Sequence, residues 1–166
     1  MRGPVPAAIA IAESETHQLV GRLPDGLEFT ASLRVTKPHA LVMLKLLALD
    51  DRYRNIRGPA EARHDRQESR THAADILAIV SAQTNPAQFK EAFQRQFEAD
   101  PPLGVRESRV LCEYFSESTS PGLLLVYEEF LVADRPLDRD ARRDVAQLVE
   151  QLLPAERAKR RTRKPN

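Results

Sequence analysis

Lys45 is the one charged residue among the apolar neighbours of HALVMLKLLAL, residues 39–49. An ammonium in such a run must either reach water along its own methylene stem or meet an anion. Arg52 follows seven residues later, nearly two helical turns, so both cations project from one side of a helix and can grip one polyanion. The alternative is that Lys45 pairs with a nearby acid and closes the edge of a core. Further on, His72 and Asp75 open the run THAADILAIV. Asp75 there either lends a carboxylate to the same site or sits favourably near a helix amino terminus, an effect of about 0.3 to 1 kcal/mol. His72, one turn before Ile76, is either a proton acceptor or a partly buried structural residue.

Other chemistries find less support. The sequence has no glycine-rich phosphate loop, no H-E-x-x-H helix and no G-x-S-x-G elbow, and its four histidines lack metal-ligand spacing. Cys112 is the sole cysteine, which excludes an internal disulfide and a cysteine-rich zinc site. A nucleophilic role for it needs a histidine brought close by folding; a buried structural thiol needs nothing further. Asp50-Asp51 follow a helical run and the acid-rich stretch Asp134 to Asp140 enters the last helix, so neither has the strand-borne geometry of metal carboxylates.

The elements that must position these residues can be read from periodicity. Leu27, Phe29, Ala31, Leu33 and Val35 alternate with polar residues, as in a strand with one buried face. Pro24-Asp25-Gly26 before it is a turn sequence, so a hairpin is expected, with Val5 to Ala12 as a third strand. After Lys37-Pro38 the apolar run is too long for a strand and reads as a buried helix. Residues 56–71 are charged, contain Gly58-Pro59 and show no period; they read as a loop, after which Thr71 caps a helix to about Ala82. Asn85-Pro86 starts a helix carrying Phe89, Phe93 and Phe97 every fourth residue, a stripe read as core in preference to a stacking surface for bases. Arg106 to Phe115 is helical, GLLLVYEEFLV is helix or strand, and Leu137, Ala141, Val145, Leu148, Val149 and Leu152 mark a last helical stripe. The fold class is α+β: a short amino-terminal hairpin or three-strand remnant followed by a mainly helical bundle. It forms one domain over residues 1–154, strands to 36 and mostly helices from 37, with a basic tail at 155–166.

Two strings carry a family resemblance. KPHALVMLKLLALDDR followed by THAADILAIV resembles the paired motifs of the AbiEii-type nucleotidyltransferase toxins, in which a K-L-x-A-x-x-x-R helix precedes one that begins K-D or K-H and continues x-x-D-I or x-x-D-L. Lys45, Leu46, Ala48 and Arg52 occupy the first motif; His72, Asp75 and Ile76 occupy the second, with Thr71 where the family has lysine or arginine and Arg70 beside it. The resemblance spans about residues 27 to 97. It implies that Lys45 neutralises nucleotide phosphates, that Asp75 supports the active site, that Arg52 and His72 help to bind the nucleotide, and that Mg2+ and a nucleoside triphosphate are the cofactors. The glycine-serine turn and D-x-D pair that hold magnesium in that superfamily do not occur in this sequence. A bacterial toxin-like chain truncated to its carboxy-terminal half is therefore expected, with the metal-binding half supplied by a partner protein or an upstream segment.

The whole chain of 166 residues is 42% hydrophobic and 30% charged, with twelve prolines, which suits one globular domain. No run of about 18 uncharged apolar residues occurs, so no membrane span and a cytoplasmic location are expected. The net charge of +1 hides an asymmetry. Arg157, Lys159, Arg160, Arg161, Arg163 and Lys164 crowd the last twelve residues and leave 19 bases and 23 acids, a charge of −4, for the rest. Such a tail is either a solvated terminus or an RNA-binding segment. Two other functions therefore stand beside a transferase: a non-enzymatic helical protein-interaction module, and an RNA-binding accessory protein.

Overall fold

Proline opens every helix of the described structure, because its fixed φ suits the first turn and its missing N–H costs nothing there. The computed structural model describes residues 6–55, 58–117 and 119–132. Their order is α1 (Pro6–Ala12), β1 (Ser14–Arg22), β2 (Glu28–Thr36), α2 (Pro38–Arg54), α3 (Pro59–Ser81), α4 (Pro86–Ala99), α5 (Pro101–Phe115) and α6 (Pro121–Val132). The class is α+β, a two-stranded antiparallel hairpin followed by a helical bundle. The stripe from Leu137 to Leu152 and the basic tail lie outside the described residues.

The hairpin closes through Pro24-Asp25-Gly26 as its sequence requires. The Leu23 amide donates to the Leu27 carbonyl at 2.8 Å, the Asp25 carboxylate accepts from the Leu27 amide at 3.1 Å, and Gly26 takes a positive φ of 87°. A third strand does not form: Pro6–Ala12 is a helix, its alanines favouring that state and its proline starting it. The alternating face of β2 is also not buried. Leu27, Phe29, Leu33 and Val35 are 63%, 41%, 48% and 46% exposed. Pairing of Leu19 with Ala31 and of Gly21 with Phe29 puts Leu19 on the same face. Among the described residues, the open end of the hairpin is tied down by bonds from Arg34 and Thr36 to the Ile11 and Ala10 carbonyls.

Helix α2 is the axis of the bundle. Val42, Met43, Leu46 and Leu49 are fully buried, and the helix packs on α3 with further contacts to α4, α5 and α1. The core adds Ile76 from α3, Val110, Leu111 and Phe115 from α5, and Leu123 and Val126 from α6. Phe89, Phe93 and Phe97 are buried within it, Phe93 edge-on to Phe97 at 4.8 Å, so none of the three is a stacking surface. Gly104 lets α5 approach α4 closely, since a Cβ there would lie 2.8 Å from the Phe97 Cα.

Most of residues 56–71 do not form a loop. From Pro59 onward they form the first half of α3, a single helix of 23 residues, with Gly58 before it at a φ of 152°. No apolar period marks this half because charged pairs fasten it. Asp65 and Glu68 meet Arg52 on α2, while Arg66 and Arg70 meet Glu128 and Glu129 on α6. Thr71 therefore caps nothing; its hydroxyl donates to the Gln67 carbonyl inside the helix. Asp75 is likewise mid-helix, so a first-turn dipole does not explain it.

Candidate functional site

The long contact between α2 and α3 brings together residues 30 apart in sequence. Lys45 Nζ lies 2.5 Å from Asp75 Oδ2, with 25% of the lysine side chain and 40% of the aspartate side chain exposed. Lys45 reaches that rim because its neighbours on α2 fill the core, leaving the ammonium at the seam where α3 presents a carboxylate. The pair joins the two candidate catalytic positions. It also satisfies Lys45 as an edge-closing ion pair would, so the contact alone does not separate the two readings of its sequence.

Arg52 lies further along the same seam but is turned to a different pair of acids. Its Nη1 is 3.2 Å from the buried Asp65 Oδ1 and its Nε 3.0 Å from Glu68 Oε2. The two cations thus share a face of α2 without converging on one point. His72 lies between them; burial first, then the charge of Lys45, hold its imidazole below the usual histidine range. The ring is therefore neutral at pH 7. Arg70, the neighbour of Thr71, is committed to Glu129 at 3.5 Å.

The groups implied by the resemblance fit these residues unequally. A phosphate oxygen can meet Lys45, because Asp75 takes one of the ammonium's three donor directions and the side chain is partly open to solvent. Along the whole seam, however, Asp65, Glu68 and Asp75 outnumber Lys45 and Arg52, so no surplus of positive charge awaits a triphosphate. Magnesium does not fit: among the described residues no group of three or more histidine, cysteine, aspartate or glutamate side chains is placed to hold a metal ion.

A denser ionic cluster, not foreseen from the sequence, lies between α2 and α5. Asp50 is 2% exposed and accepts from Arg54 Nε at 2.6 Å, Arg109 Nη2 at 3.0 Å and Arg106 Nη2 at 3.2 Å. Burial pushes its carboxyl up, but the three guanidinium groups outweigh that and hold it below the usual range. Asp51 and Glu113 complete the cluster by pairing with Arg106 and Arg54. Three acids balance three bases, which marks a clasp between α2 and α5. Its only signal in the sequence was the doublet Asp50-Asp51. Cys112 packs half-buried against the core.

Comparison with protein-family models, with curated proteins and with solved structures found no match to this chain.

Proposed function

We propose that the chain is a nucleotidyltransferase-like protein, resembling AbiEii-type toxin enzymes, in which Lys45 and Asp75 form a positioning pair at the edge of a nucleotide site. Groups that hold magnesium come from outside the described residues, whether from a partner protein or from another segment of polypeptide. The observation that carries this reading is the 2.5 Å contact between the lysine and the aspartate that the paired motifs single out. A nucleoside triphosphate would supply the group transferred; this chain's own part is to offer Lys45 to a phosphate oxygen and to orient that lysine through Asp75. Arg52 and His72 support the seam next to the pair. Calorimetric titration of magnesium and ATP into the wild type and Lys45→Ala tests this. Loss of one charge-assisted hydrogen bond should weaken binding about tenfold; equal affinity of the two proteins removes Lys45 from the site.

The exposed face of the hairpin favours a second reading, a non-enzymatic interaction module whose apolar strand completes another protein. Size-exclusion chromatography with light scattering on the wild type and Leu33→Glu checks it. An oligomer that the substitution returns to monomer supports the module; a wild-type monomer that binds nucleotide favours the first reading. An RNA-binding role for the basic tail is tested by truncation after Pro154, which should then abolish RNA binding.

A further inference from the structure

A cleft of about 330 Å³ opens where the start of α2 meets the side of α4, and it gathers Lys37, His39 and Arg95 around Glu13. It is separate from the Lys45 seam, since Lys37 stands at the N-cap of α2 and Lys45 lies eight residues, roughly 12 Å of helical rise, further along. An adjoining cleft shares Lys37, His39 and Arg95 and adds Glu15 on its rim.

A single carboxylate oxygen occupies the centre of this arrangement. Glu13 Oε2 lies 3.3 Å from Lys37 Nζ and 3.3 Å from His39 Nε2. Burial first, then the charges of Lys37 and Arg95, lower the imidazole below its usual range against the pull of Glu13. His39 is therefore a neutral donor, 9% exposed and fixed in the wall of the cleft. Two features point beyond a simple ion pair. Arg95, exposed on α4, lines the same cleft with no carboxylate partner among the described residues, while Glu15 on the rim is taken by His17 at 3.0 Å. The start of α2 also has no side-chain cap at Lys37, so its first-turn N–H groups add positive potential behind the cations.

A carboxylate has two acceptor oxygens, whereas a planar guanidinium, an ammonium and an imidazole N–H together suit a tetrahedral oxyanion with more of them. We propose that this cleft binds a phosphate group, free or as the end of a phosphomonoester, and that Glu13 holds the place which the ligand takes. The proposal does not depend on the transferase reading. Glu13 acts as a built-in competitor: removing its charge should improve the site, which a merely structural ion pair would not do.

The test is titration of the full chain with inorganic phosphate, followed by amide chemical shifts at His39 and Ala92, for the wild type, Glu13→Gln and Arg95→Ala. Saturable shifts are expected, with the dissociation constant falling at least about threefold in Glu13→Gln and rising at least about fivefold in Arg95→Ala, the range expected when a charge-assisted contact is gained or lost. Glycerol phosphate binding as tightly as phosphate assigns an ester end group, and weaker binding assigns the free ion. Non-saturating shifts, an unchanged constant in Arg95→Ala, or acetate binding as tightly as phosphate would each overturn the proposal. Should Glu13→Gln fail to fold, Arg95→Ala, at an exposed position, decides alone.

Discussion

At the scale of single residues, burial decides what each charge does. From inside the protein Asp50 accepts hydrogen bonds from three arginines, so Asp50→Ala leaves three crowded guanidinium groups with only Asp51 and Glu113 to balance them. The expected loss is roughly 2 kcal/mol, less than the 3 to 5 of a fully buried pair because the arginines reach solvent; urea denaturation of the two proteins measures it. Glu107 shows the opposite case. It is fully buried with neither carboxylate oxygen hydrogen-bonded, and burial, aided by the nearby Asp100 charge, pushes its pKa up to about 8. The folded protein then holds a proton that the unfolded chain has released above about 4.5, so this group's contribution falls as pH rises from 4.5 to 8. Glu107→Gln mimics the protonated form. Its melting temperature should match the wild type near pH 5 and exceed it near pH 8; an equal difference at both values would show that Glu107 is already ionised in the folded state. Among the functional candidates, the pairing of Lys45 with an acid was readable from its apolar surroundings, whereas Arg52 was not, since its partners Asp65 and Glu68 sit in a segment with no visible period.

At the scale of elements, the length of an unbroken apolar run gave α2 and apolar periodicity gave α4, each because the helix buries a continuous face. It failed for the first half of α3, where ion pairs to α2 and α6 replace apolar burial and a polar helix looks like a loop. It failed differently for β2: alternation correctly named a strand with an apolar face, but alternation cannot say whether anything covers that face. The tight α4–α5 approach was invisible for another reason, since a single glycine carries it. Gly104→Ala would press a methyl within 3 Å of the Phe97 backbone and side chain. The shift of one helix should cost about 1 to 3 kcal/mol, read as a lower denaturation midpoint; an unchanged midpoint would mean that α4 and α5 can separate freely.

At the scale of the molecule, a helical bundle built on α2 carries two distinct surfaces, an ionic seam against α3 and an uncovered apolar hairpin. No helix of the described residues is long and apolar enough to cross a membrane. The seam is central because an ion pair there can serve either as a clasp or as part of a site. Exchanging the partners, Lys45→Asp with Asp75→Lys in one chain, separates the two roles. The attraction between helices survives the exchange, while the ammonium moves from α2 to α3. For a site, the double variant should melt close to the wild type yet lose most of its affinity for a magnesium-bound nucleoside triphosphate. Wild-type affinity in the exchanged protein would contradict the assignment and leave the pair as a clasp.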